Sequence, residues 1–96
     1  MPTYITLWKY TKEGLVDIKN TSERYEAVKE IVQSSGGKLV SAYGLVGPYD
    51  VITIMEQPDE KVLTSTILKI CSKGRVVPES MIAMPIEDFL EATKSA

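Results

Sequence analysis

Few side chains in this chain are able to do acid–base or nucleophilic chemistry. It has no histidine and a single cysteine, Cys71. Without histidine, it lacks the usual general base near neutral pH and the commonest transition-metal ligand. No spacing of carboxylates or of the cysteine resembles a metal site, and no glycine-rich phosphate loop is present. We therefore expect no metal and no cofactor.

The remaining candidates are two carboxylates, one thiol and, for acid–base chemistry, the phenols of Tyr4 and Tyr43. In a cavity, burial would raise the pKa of Glu79 and make it an acid or base, whereas at a strand edge it would stay in water or pair with a basic residue. Asp50 either accepts hydrogen bonds from turn amides or serves a ligand. Cys71 falls beside Ile67 and Ile70 on an apolar helical stripe, which favours a small buried hydrophobe over a reactive thiol.

The segment Gly47-Pro48-Tyr49-Asp50 separates two β-type runs and predicts the turn of an antiparallel hairpin. Gly47 takes a positive φ without steric cost, and Pro48 fixes its own φ and has no N–H donor. Two interpretations stay open. In one, the turn is structural and Asp50 caps nearby amides; in the other, Tyr49 and Asp50 line a ligand site at the mouth of a barrel.

Periodicity predicts the elements that position these residues. Apolar residues at helical spacing predict a short helical segment after Thr11, a break near residues 20–22 where Asn20 and Glu23 give a capping signal, and a longer helix to about Ser34. Further helices are predicted from residues 58–59 to 73–74 and after Pro85. Runs of β-formers predict four strands, over residues 3–10, 38–45, 49–56 and 75–84.

The order β-α-β-β-α-β with a C-terminal helix predicts an α+β, ferredoxin-like fold. Both main helices then cover one face of a four-stranded antiparallel sheet. At 96 residues the chain is long enough for one domain, which we assign to residues 1–96.

Each strand offers two alternating sets of side chains, and their chemistry suggests which face is buried. The aliphatic set suits the face under the helices; it consists of Ile5, Leu7, Ile52 and Ile54. The other set is too apolar to be left in water and consists of Tyr4, Thr6, Trp8, Tyr43, Thr53, Met55 and Met81. We expect a second copy to cover this face, sheet against sheet, around a shared cavity. The alternative is that the faces are exchanged in one strand.

The predicted open face has two functional interpretations. An apolar pocket with a few hydroxyl and indole donors is how small-molecule sites are usually built. The same residues would also suit a plain dimer core, because aromatic residues and Met are enriched in such interfaces.

Composition limits the partners and the compartment. The formal net charge is −2, with acidic and basic residues interspersed, which argues against nucleic acid and anionic membranes as partners. No apolar run reaches the length of a membrane span, and no secretory signal is visible at the N-terminus. A lone cysteine fits a reducing compartment, so we expect a cytoplasmic protein.

Several segments together resemble the GYD-domain proteins, a family named for a Gly-x-Tyr-Asp signature. The resemblance runs from Thr3 to about Phe89 and rests on the first strand, Thr11-Lys12-Glu13-Gly14, Ser35-Gly36-Gly37-Lys38 and Gly47-Pro48-Tyr49-Asp50. Lys12 departs from the pattern, since proline often follows the threonine. The family is similar to the dimeric α+β barrels, which implies a dimer of ferredoxin-like protomers but no established substrate.

The sequence therefore leads to two function classes. The first is a homo-oligomeric domain that binds a small molecule or another protein. The second is a cofactor-free barrel enzyme, an isomerase or oxygenase acting on a small aromatic or cyclic compound. The acidic charge and the missing basic strand motif disfavour a third, an RNA-binding sheet. The candidate ligand-binding residues are Tyr4, Thr6, Trp8, Tyr43, Tyr49, Asp50, Thr53 and Glu79.

Overall fold

A computed structural model describes all 96 residues and confirms the ferredoxin-like arrangement. The four strands are β1 (Thr3–Tyr10), β2 (Lys38–Gly44), β3 (Val51–Glu56) and β4 (Val76–Ala83). They form one antiparallel sheet in the order β2-β3-β1-β4. The predicted strand boundaries differ from these by at most two residues. Pro78 lies in β4, an edge strand, where its missing N–H leaves no gap in the sheet.

The helices are α1 (Lys12–Val16), α2 (Thr21–Ser34), α3 (Glu60–Cys71) and α4 (Ile86–Lys94). A 3₁₀ turn over Ile18–Asn20 joins α1 to α2 at the predicted break. None of the helices is long and apolar enough to cross a membrane.

Side-chain caps start two of these helices at the predicted positions. Thr11 Oγ1 accepts the Gly14 N–H at 3.2 Å, and Asp59 Oδ1 accepts the Val62 N–H at 2.9 Å. The Asn20 cap was wrong, because Asn20 makes no capping bond to α2 and its side chain donates to Asp17 instead. The 3₁₀ turn already delivers the chain to Thr21 in helical geometry, so α2 needs no extended cap residue.

The predicted assignment of the sheet faces was also wrong. The face under the helices carries the aromatic and threonine set, with Tyr4 2%, Trp8 4% and Thr53 3% exposed, and Thr6 and Met55 fully buried. The aliphatic set lies on the other face: Ile5 is paired with Ile54 and Leu7 with Ile52, and all four are partly exposed. The faces are exchanged in both strands, not in one.

Hydrogen bonds between side chains explain how the more polar set is tolerated in the core. Trp8 Nε1 donates to Thr53 Oγ1 at 2.9 Å, and the Thr6 and Ser80 hydroxyls are 2.9 Å apart. A buried polar group costs little once it has a partner. The rings of Tyr4 and Trp8 then supply bulk against Val32 on α2 and against Leu63 and Ile67 on α3.

Candidate functional site

One face of the sheet, which we call the open face, is not covered by any helix of the chain. Its centre is aliphatic, and its side chains come from all four strands in register. Met81 is paired with Ile5 and is 47% exposed, and Tyr43 is paired with Ile52 and is 60% exposed. The open face consists of Ile5, Leu7, Lys9, Ser41, Tyr43, Ile52, Ile54, Val77, Glu79 and Met81.

The signature turn contributes one side chain to this face. Tyr49 reaches across β1 from the β2–β3 turn, and its hydroxyl donates to Glu79 Oε2 at 2.6 Å. Glu79 is paired with Leu7 in the β1–β4 ladder, so the hydrogen bond lies over the end of the aliphatic patch. The carboxylate stabilises the protonated phenol, and this raises the pKa of Tyr49 above 10.0.

Of the two alternatives that the sequence left open for Glu79, the structure has the exposed strand edge and not the closed cavity. It lies at an exposed strand edge, but its partner is a tyrosine hydroxyl and not a basic residue. For the enzyme hypothesis, the Tyr49–Glu79 pair is the acid–base group that the open face offers. It would need a cover over the sheet to exclude water.

Asp50 has a structural contact in this fold. Its Oδ2 accepts the Tyr10 N–H at 2.8 Å, and its own backbone N–H donates to the Trp8 carbonyl at 2.9 Å. The carboxylate therefore takes the place of a strand carbonyl at the end of β1, where β3 has turned away. The backbone of the turn is equally specific: Gly47 has a φ of +155°, which favours glycine.

The sequence-predicted site residues are divided between the two faces of the sheet. Tyr43, Tyr49 and Glu79 lie on or over the open face, whereas Tyr4, Thr6, Trp8 and Thr53 lie under the helices. The latter four are thereby excluded from a cavity between two open faces. Whether any of the eight candidates binds a ligand stays a prediction.

Two side chains under the helices have unusual surroundings. The Tyr4 hydroxyl is buried without a hydrogen-bond partner, and burial, reinforced by the charges of Glu60 and Asp59, raises its pKa. Burial also raises the pKa of the Cys71 thiol, which packs beside the core. A raised pKa lowers the thiolate fraction, which agrees with the interpretation of Cys71 as a small hydrophobe.

A cleft of about 170 Å³ opens on the helix side, between α2, the end of α3 and the sheet. Trp8 and Thr53 lie at its sheet side, and Arg24 and Lys69 contribute from the helices. Sequence reasoning missed this cleft, since it placed the aromatic residues on the opposite face. No local pattern marks the cleft, because α2 and α3 each contribute a single basic residue to it.

The last helix, α4, projects from the body without extensive packing on another helix or strand. It presents Ile86, Phe89 and Leu90 on one side, and all three are more than half exposed.

Comparison with known proteins identifies the family. The model of the GYD domain matches residues 4–93. A Thermus thermophilus protein named glutamine synthetase and cystathionine beta-lyase binding protein is 30% identical over 95 residues, covering 98% of this chain and 100% of its own.

Solved structures show the same fold. The crystal structure of TTHA0845, also from Thermus thermophilus, is 21% identical with a TM-score of 0.57, covering 88% of this chain and 95% of that one. A second crystal structure, of a protein named FFRP, is 23% identical with a TM-score of 0.63 over 88% and 100% of the two chains. The feast or famine regulatory protein of M. tuberculosis, complexed with L-methionine, is 14% identical with a TM-score of 0.66 over 88% and 51%.

Proposed function

Because this chain belongs to the GYD domain family, we propose that it is a self-associating interaction domain that binds metabolic enzymes. The observation that carries the self-association is the open face, an aliphatic sheet surface that its own helices leave uncovered. The enzyme partners are proposed from the name of the Thermus relative, which spans the same length of chain.

The surface area of the chain supports a second copy as the cover of the open face. A folded monomer of 10.6 kDa exposes about 5,500 Å² by the usual scaling with mass. This chain exposes 6564 Å². The excess of about 1,000 Å² is close to one partner's share of a standard protein–protein interface, which is about 800 Å².

The C-terminal helix adds to the same argument. An amphipathic helix of nine residues is marginal in water unless its apolar side is packed. The three apolar side chains of α4 are left more than half exposed by their own chain, so in our proposal they pack on the second copy.

In this proposal, the partner enzymes bind the outer surfaces of α2 and α3. They carry mixed charge, as rims of protein–protein interfaces do, with Glu26 paired to Lys29 on α2. In this arrangement the open faces hold two copies together, and each dimer presents two equivalent outer surfaces.

The partner hypothesis is tested by measuring binding to the glutamine synthetase and the cystathionine beta-lyase of the organism that encodes this chain. Each enzyme is immobilised and titrated with the wild-type protein in biolayer interferometry. We expect saturable binding to at least one of them, with bovine serum albumin as the negative surface. If the protein self-associates but neither enzyme binds, the enzyme-binding half of the proposal is wrong.

A further inference from the structure

The positive charge that lines the helix-side cleft is not neutralised by acidic residues in the same lining. Its walls are mainly apolar, with Trp8, Val28 and Ile70 among them, and four basic residues surround them. Those basic residues are Arg24, Lys69, Lys73 and Arg75. No acidic residue lines the cleft, although the chain has 13 acidic and 11 basic residues in all.

Arg24 is the residue that most needs a partner. Its Nη2 donates to Thr21 Oγ1 at 3.0 Å and lies 3.4 Å from the Gly14 carbonyl, and its guanidinium stacks over the Tyr10 ring at 5.6 Å. Its Nη1 is buried and has no hydrogen-bond partner. A buried donor without an acceptor is costly, and no carboxylate of the chain pairs with the Arg24 charge, so a negative charge in the cleft would be favourable there.

The other three basic residues differ in whether an acidic residue of the chain pairs with them. Arg75 is paired with Asp17 at 3.3 Å, outside the cleft lining. Lys69 and Lys73 take part in no ion pair. Three cationic groups, Arg24 and the two lysines, therefore lie at an apolar cleft without a carboxylate.

We propose that this cleft binds a small monocarboxylate with an aryl or branched-alkyl body. The carboxylate would lie among the cationic groups of Arg24, Lys69 and Lys73, which all line the cleft. The apolar body would lie against Trp8 and Val28. The size fits, because engineered cavities of about 150 Å³ take up a benzene ring and this cleft measures about 170 Å³.

The site is separate from the open face. It lies on the helix side of the sheet, so a second copy on the open face would leave it accessible. Ligand binding and self-association are consequently measured by different readouts, and either proposal can fail while the other stands.

Trp8 provides the readout. It is the only tryptophan, it is 4% exposed, and it lines the cleft. The wild-type protein is titrated with phenylacetate and with phenylacetamide, which has the same shape without the charge, while tryptophan fluorescence is recorded. We expect a saturable change with phenylacetate and roughly tenfold weaker binding of the amide, the scale of one charge-assisted hydrogen bond.

Variants then test which basic residues bind the carboxylate of the ligand. Arg24→Met and the double change Lys69→Met with Lys73→Met should each weaken phenylacetate binding by about tenfold or more. Lys61→Met removes a lysine from the same helix outside the cleft and should leave binding unchanged. Thermal unfolding checks that each variant is folded.

Two results would overturn the proposal. One is equal binding of the acid and the amide to the wild-type protein, which would mean that the basic residues do not select the ligand. The other is the absence of any saturable change in Trp8 fluorescence up to millimolar phenylacetate. Both are measured on the wild-type chain, so they do not depend on whether Arg24→Met folds.

Discussion

The signature residues Tyr49 and Asp50 are neighbours in the chain but make hydrogen bonds to different strands. Asp50 points toward β1 and accepts a backbone N–H, whereas Tyr49 crosses the open face to Glu79. The sequence located the turn correctly, because glycine and proline mark it. It left the two roles open, because neither residue type reveals which way its side chain points.

Replacing Asp50 with alanine should destabilise the fold. The Tyr10 N–H would lose its acceptor, and we expect a loss of about 1–2 kcal/mol in the free energy of unfolding, the usual scale for a lost side-chain cap. Urea unfolding measures it. Glu30→Ala, which removes an exposed and unpaired carboxylate from within α2, is the matched control. Equal stability of the two variants would mean that the Asp50–Tyr10 hydrogen bond is unimportant.

The Tyr49–Glu79 hydrogen bond should be visible in the titration of the phenol. The pKa of Tyr49 is raised in the folded state, so its stabilising contribution is complete below pH 10.0 and is lost as the pH rises through the folded-state pKa. The ultraviolet difference titration between wild type and Tyr49→Phe isolates this one group. In Glu79→Gln its midpoint should move down toward 10.0, and an unchanged midpoint would contradict the assignment.

At the level of elements, sequence patterns predicted the helix starts and strand boundaries but not the buried face of the sheet. Turn and cap residues such as Thr11 and Asp59 fixed the helix starts, and strand boundaries were nearly right. The buried face was assigned wrongly, because alternation separates two sets of residues without saying which is inside when both are apolar. The Trp8–Thr53 hydrogen bond, which permits the polar set to be buried, joins residues 45 positions apart and has no local signal.

The short helix α1 packs closely against the segment that follows α3. A Cβ added at Gly14 would overlap the Arg75 carbonyl oxygen, a backbone atom that cannot move aside easily. We expect Gly14→Ala to cost about 1–3 kcal/mol of stability, as overpacking does. Gly44→Ala is the control, since nothing lies within 4 Å of its added Cβ. The comparison uses thermal or urea unfolding, and a stable Gly14→Ala would show that this contact is loose.

On the scale of the whole molecule, the single chain is more extended than its length requires. Its radius of gyration is 14.5 Å, against about 12.5 Å for a compact domain of this size. The projecting α4 and the bare sheet face account for this shape. Fold and family followed from the sequence, but the arrangement of exposed surface did not, because it depends on which residues the helices cover.

The central claim is that a second copy covers the open face, and a mass measurement tests it most directly. Multi-angle light scattering at micromolar concentration should give about twice 10.6 kDa for the wild type. Ile54→Glu, at the centre of the open face, and Met81→Glu, on its edge strand, should both shift the mass to that of the monomer. Leu68→Glu, an equally apolar exposed position on α3, should stay dimeric. A monomeric wild-type protein, or folded open-face variants that remain dimeric, would contradict the account.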